Sequence, residues 1–138
     1  MNKDLQDLFT WLCANRLSLN VAKTEFIIFK PPRKSLNNRL TLKLNGKTLY
    51  ESKKIKYLGL IVDDRLSWKF LINELCKKLG RVIGIIYRLK KTNCPKSVLL
   101  CIYSSLFQSQ LCYGIMAWGS ASKNLIEKLY LLQKRQFA

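Results

Sequence analysis

Residues 67–91 carry apolar side chains at the spacing of a single helix face, and no other stretch restricts the fold as strongly. At 100° per residue, Leu71, Leu75, Leu79, Val82, Ile86 and Leu89 lie within an arc of about 80°. Lys77, Arg81, Arg88 and Lys91 occupy a similar arc on the far side, with Gly84 among them. A missing side chain at Gly84 leaves room for another backbone to approach. The apolar stripe has to be buried against other elements. The basic arc is one-sided: residues 65–96 hold nine Lys and Arg against the single acid Glu74. A face that serves only solubility usually mixes signs, and an ordinary solvated face is the plainer alternative.

Upstream, Leu5, Leu8, Phe9, Leu12 and Leu17 recur at helical spacing beside Trp11, which predicts a helix over residues 2–16. It opens without a good cap, as expected of a chain that begins mid-domain. Residues 21–29 read as a strand ended by Pro31-Pro32, and residues 31–39 as a basic loop. Alternation at Leu40, Leu42 and Leu44, the Asn45-Gly46 turn and residues 47–50 predict a hairpin. Residues 55–62 form the next expected strand, interrupted at Gly59. Residues 92–95 then break the long helix, and further helices are expected over residues 95–112 and 122–137. The expected class is α+β: an N-terminal helix, a small antiparallel sheet of about four strands, and an all-α bundle of three helices. A sheet-bearing region, 1–64, would precede a helical region, 65–138.

The chain has 25 Lys and Arg against 8 Asp and Glu, a net charge of +17. Residues 23–56 hold ten basic residues against Glu25 and Glu51, so the two basic regions carry nearly all of the excess. Such an excess favours polyanions, nucleic acid first and an anionic membrane second. Contacts to phosphates would give affinity and register without base information. With 138 residues and 49% hydrophobic content, the chain suffices for one domain's core.

Catalytic groups are scarce. The chain has no histidine and no Gly-rich phosphate loop, so the usual general base and phosphate cradle are missing. Cys13, Cys76, Cys94, Cys101 and Cys112 form no C-x-x-C pair. That fits reduced thiols inside a cell, in cytoplasm or nucleus, better than a metal site. Asp63-Asp64 is the only adjacent acid pair. Two-metal catalysis needs carboxylates from separate elements converging on ions about 4 Å apart, whereas this pair ends a strand and suits a turn. Lys3, Asp4 and Asp7 argue against a signal peptide. The charge-free run 97–122 has the length of a membrane span. Its Ser104, Ser105, Gln108, Ser109 and Gln110 are costly in hydrocarbon, so a core helix is expected instead. Tyr113 and Trp118 are then core aromatics.

Four stretches in order, "WLCANRLSLNVAKTEFIIF", "KYLGLIVDDRLSW", "IYSSLFQSQLCYGIMAWG" and "LQKRQFA", complete the reading. Together they resemble the C-terminal part of reverse transcriptases from non-LTR, LINE-type (jockey-like) retrotransposons, over nearly the whole chain. The resemblance implies that Asn20, Lys23 and Thr24 match the region after the catalytic palm motif, where the lysine approaches the incoming nucleotide's phosphates. It implies that Tyr57, Leu58 and Gly59 lie at the primer-grip hairpin and that the helices from Ser67 onward look like the thumb. Lys77, Arg81, Arg88 and Lys91 would then face the template–primer duplex. The family's metal-binding aspartates lie in two palm motifs that no stretch here matches. Mg2+ and polymerase activity are therefore implied for a parent enzyme, and the chain is expected to be a duplex-binding fragment, inactive alone. Its expected partners are an RNA–DNA or DNA duplex and the rest of the reverse transcriptase, with no membrane. A free-standing basic nucleic-acid-binding module is the alternative, and a protein anchored by residues 98–118 a more distant one. For Lys23, a solvated lysine at a strand edge is the plainer reading.

Overall fold

A computed structural model describes residues 1–31 and 40–135, which fall into two compact units. The first comprises residues 1–55 with 63–66, and the second residues 56–62 with those from 67 onward. The basic loop expected over residues 31–39, apart from Pro31, and the expected end of the last helix at residue 137 lie outside the described residues.

In the first unit, α1 (Asn2–Ala14) packs Leu5 and Phe9 against the buried Leu42, Leu44 and Leu49, with Val21 and Phe26 alongside. The Asn2 side chain pairs like a strand residue: Nδ2 donates to the Thr41 carbonyl (3.3 Å) and Oδ1 accepts from the Lys43 amide (3.1 Å). α1 stops at Ala14 because Arg16 turns to φ 57°. The Arg16 and Leu17 amides then donate to the Cys13 and Leu12 carbonyls at 3.0 and 2.9 Å. This Schellman closure satisfies carbonyls that the helix end would leave orphaned.

Residues 21–29 do not form the expected strand. Val21–Lys23 is a 3-10 turn, in which Thr24 Oγ1 donates to the Asn20 carbonyl at 2.9 Å. Short hydroxyl side chains of this kind draw the backbone away from a ladder. Only β1 (Glu25–Phe26) is extended and paired. β2 (Lys43–Leu44) and β3 (Lys47–Thr48) form the antiparallel hairpin, Lys43 opposite Thr48 and Leu44 opposite Lys47. Asn45 and Gly46 close it at φ 48° and 72°, the type I′ geometry whose twist matches the strands.

β4 (Tyr50–Glu51) returns beside β1 in parallel, Glu25 opposite Tyr50. The expected antiparallel four-stranded sheet is thus replaced by separate two-stranded ladders. The β2–β3 hairpin lies inside the crossover, and a crossover of that length permits a parallel pair. β5 (Lys54–Tyr57) and β6 (Leu60–Asp63) make a further ladder. The chain reverses between them at Leu58 and Gly59 (φ 47° and 82°) instead of running on as one strand.

The second unit is built on α2 (Lys69–Lys91), which opens at the buried Trp68. Leu71, Ile72, Leu75, Leu79, Val82 and Ile86 are buried along it and pack with Phe107, Trp118, Leu125 and Leu129. Asn93 takes φ 53° and the Cys94 amide reaches the Leu89 carbonyl at 3.3 Å, so the helix ends where Pro95 forbids more. α3 (Lys96–Ile102) passes through a π-helical stretch, Tyr103–Gln108, into α4 (Ser109–Cys112). There the Ser104 and Ser105 hydroxyls donate to carbonyls of the preceding turn, and the Tyr103 and Phe107 rings stack with centroids 5.3 Å apart. α5 (Ile115–Trp118) is a single turn entered at Gly114, where φ is 68° and a Cβ would lie 2.8 Å from Leu60 methyl carbons. Only glycine suits both constraints. α6 (Lys123–Lys134) contributes the buried Leu125 and Leu129.

Candidate nucleic-acid interface

Lys77, Arg81, Arg88 and Lys91 are all exposed, on the side of α2 away from its buried residues. Lys77 Nζ lies 3.3 Å from Glu74 Oε1. An exposed pair of this kind contributes under about 1 kcal/mol, so it does not hold the ammonium back from a stronger anion. Arg88 Nε donates to the Gly84 carbonyl at 3.3 Å, and a Cβ on Gly84 would meet nothing within 4 Å. The space beside the glycine is therefore open, and no other backbone among the described residues occupies it. Lys91 Nζ stands 4.8 Å from the centroid of the exposed Tyr87 ring, which places an aromatic surface beside the cations.

Tyr57 and Leu58 are 64% and 72% exposed at the tip of the β5–β6 hairpin, and the Leu58 carbonyl accepts from the Tyr113 hydroxyl at 2.5 Å. Tyr113 is therefore not the core aromatic expected from its apolar surroundings. It is 57% exposed, because its hydroxyl finds a partner at the surface, while Trp118 is buried and donates Nε1–H to the Tyr113 carbonyl at 3.0 Å. A cavity of about 480 Å3 in the same unit is lined by the hairpin (Lys56, Gly59, Leu60), by α2 (Leu75, Lys78) and by Tyr113.

Lys23 belongs to the first unit, and the other seven candidate residues to the second. It is exposed at the end of its 3-10 turn, and its amide donates to the Asn20 carbonyl at 3.0 Å. Asn20, Lys23 and Thr24 thus share one local turn. Lys56 and Lys78 escaped the sequence reading. Lys78 sits at the margin of the α2 apolar stripe and Lys56 in the alternation of β5, positions where a lysine is too common to be singled out.

Asp63 is 4% exposed, and Asp64 lies 3.7 Å from Lys30 Nζ, which also stands 3.9 Å from Glu51. Asp63 is thus buried and Asp64 half-buried beside a lysine, at the strand end and turn expected for the pair. Among the described residues no three His, Cys, Asp or Glu side chains are grouped to hold a metal. Burial pushes the Cys76 thiol above its ordinary range, against the lowering pull of the Lys128 ammonium, which leaves it a poor nucleophile. No helix among the described residues is long and apolar enough to cross a membrane. Comparison of the chain with protein-family models, with curated proteins and with solved structures finds no match in any of the three.

Proposed function

We propose that the chain grips a nucleic-acid duplex by its phosphates, as the palm-edge and thumb portion of a non-LTR, LINE-type reverse transcriptase. The observation that carries this reading is the α2 face, where four exposed cations stand opposite six buried apolar residues. The four ordered stretches support the polymerase ancestry. In this reading the short ladders are the palm edge, the β5–β6 tip is the primer grip, and the helices from α2 onward are the thumb. Lys23 then meets a nucleotide phosphate, and catalysis belongs to aspartates in another part of the parent enzyme.

Phosphate contacts fix position without reading bases. Titration with a labelled RNA–DNA duplex at several salt concentrations should therefore show an affinity steep in salt and indifferent to sequence. Replacing Lys77, Arg81, Arg88 and Lys91 together by Ala should lower the slope of log K against log salt by about 3–4 units. A slope that does not move puts the duplex on another surface and removes the support for a thumb.

A further inference from the structure

Building on the duplex-holding reading above, we propose that the cavity between the β5–β6 tip and α2 takes one unpaired nucleotide. Its base would lie against the apolar wall and its phosphate against Lys56 and Lys78. The cavity, about 480 Å3, falls within the range of small-molecule sites, about 300–1,000 Å3. Leu60, Leu75 and the buried Trp118 supply the wall. Tyr113 adds an aromatic ring that is exposed yet held in place through its hydroxyl on the Leu58 carbonyl. Rings fixed in this way stack on bases without preference for sequence.

Charge decides the rest. Lys56 and Lys78 are exposed, and among the described residues neither ammonium has a carboxylate within 4.0 Å. The one acid that lines the cavity, Glu74, is already matched by Lys77 at 3.3 Å. A neutral apolar ligand would leave both ammonium groups unmatched, and bare phosphate would leave the wall unused. A nucleotide uses both. Base-paired nucleotides present only their edges, so the occupant is unpaired, as at a frayed strand end. The Gln110 amide, also part of the lining, has a buried oxygen with no partner among the described residues. A turn about its soft terminal torsion offers that oxygen to a base N–H.

The test is a titration of the full chain with adenosine 5′-monophosphate at low salt, up to about 10 mM, read by amide chemical shifts. Shifts should appear at Gly59, Leu60 and Leu75. K56Q with K78Q should weaken binding at least about tenfold, because each lost charge-assisted contact is worth about that factor. Replacing Arg81, Arg88 and Lys91 together by Ala, which leaves the Lys77–Glu74 pair at the cavity intact, should keep the nucleotide affinity while the duplex affinity falls. Absence of nucleotide binding, adenosine binding as well as its monophosphate, or indifference to K56Q/K78Q each overturns the assignment. If duplex binding survives any of these results, only the pocket is wrong. If wild-type duplex binding is absent as well, the duplex-holding reading falls with it.

Discussion

The first unit buries Leu42, Leu44 and Leu49 beneath α1, a helix with no buried residue of its own, while the second buries eleven residues around α2. Both are built on an amphipathic helix, so helix propensity does not separate them. Ladder length does. Two-residue strands provide few cross-strand pairs and little sheet surface for α1 to cover, and Leu8 and Trp11 stay exposed on it. α2, at 23 residues, brings six buried side chains to one interface. Each fully buried aliphatic side chain contributes roughly 1.5–3 kcal/mol, so most of the apolar stabilisation resides in the second unit. The cations of α2 therefore project from the more stable of the two.

The sharpest way to break this comparison is to cut one hole in each core. Phe107 is fully buried among well-packed neighbours, and Phe107→Ala should cost about 3–5 kcal/mol. Leu44 is equally hidden, but Leu5, Phe9, Val21 and Phe26 around it are only half-buried and can close the gap. Leu44→Ala should therefore cost about 2–3 kcal/mol, toward the low end of such substitutions. Urea unfolding measures both. Equal costs, with the smaller side chain removed from the first unit, would mean that its core is the tighter of the two.

The same contrast explains what could be read from the residues. The α2 stripe, the Asn45-Gly46 hairpin and the stop before Pro95 are local physics, set by a period of 3.6, by two positive φ angles and by a missing N–H. They stand almost where the sequence puts them. The parallel β1–β4 pairing is a non-local choice, made after the β2–β3 hairpin intervenes, and residues 21–29 gave no local sign of it. Exposure of the α2 cations was legible from periodicity. The cavity was not, because it joins Lys56 on β5 to Lys78 on α2, two residues with no sequence relation.

Tyr113 sharpens the difference between core and rim inside the second unit. Tyr113→Phe removes the hydroxyl from the Leu58 carbonyl but leaves the ring, at a site that is 57% exposed. The loss should be about 0.5–1.5 kcal/mol. Protection of the hairpin tip against hydrogen exchange should fall, while that of α2 stays constant. A loss as large as that of Phe107→Ala would place the ring in the core after all.

The smallest effect compares how the two long helices end. Arg16 and Asn93 both take left-handed backbone after α1 and α2, at φ 57° and 53°. A side chain such as arginine costs about 1–2 kcal/mol in that conformation. Glycine does not, although its freer unfolded chain returns about 0.5–1 kcal/mol of the gain. Asparagine tolerates the geometry through its short polar side chain. Arg16→Gly should thus stabilise the chain by about 0.5–1 kcal/mol, and Asn93→Gly by a few tenths at most. Amide exchange resolves where the gain goes: after Arg16→Gly it should slow in α1 and leave α2 unchanged, because a tighter closure acts on the unit with the smaller core. If Arg16→Gly gives no gain, the Arg16 side chain stabilises its own strained turn, and the first unit is better consolidated than its three buried leucines imply.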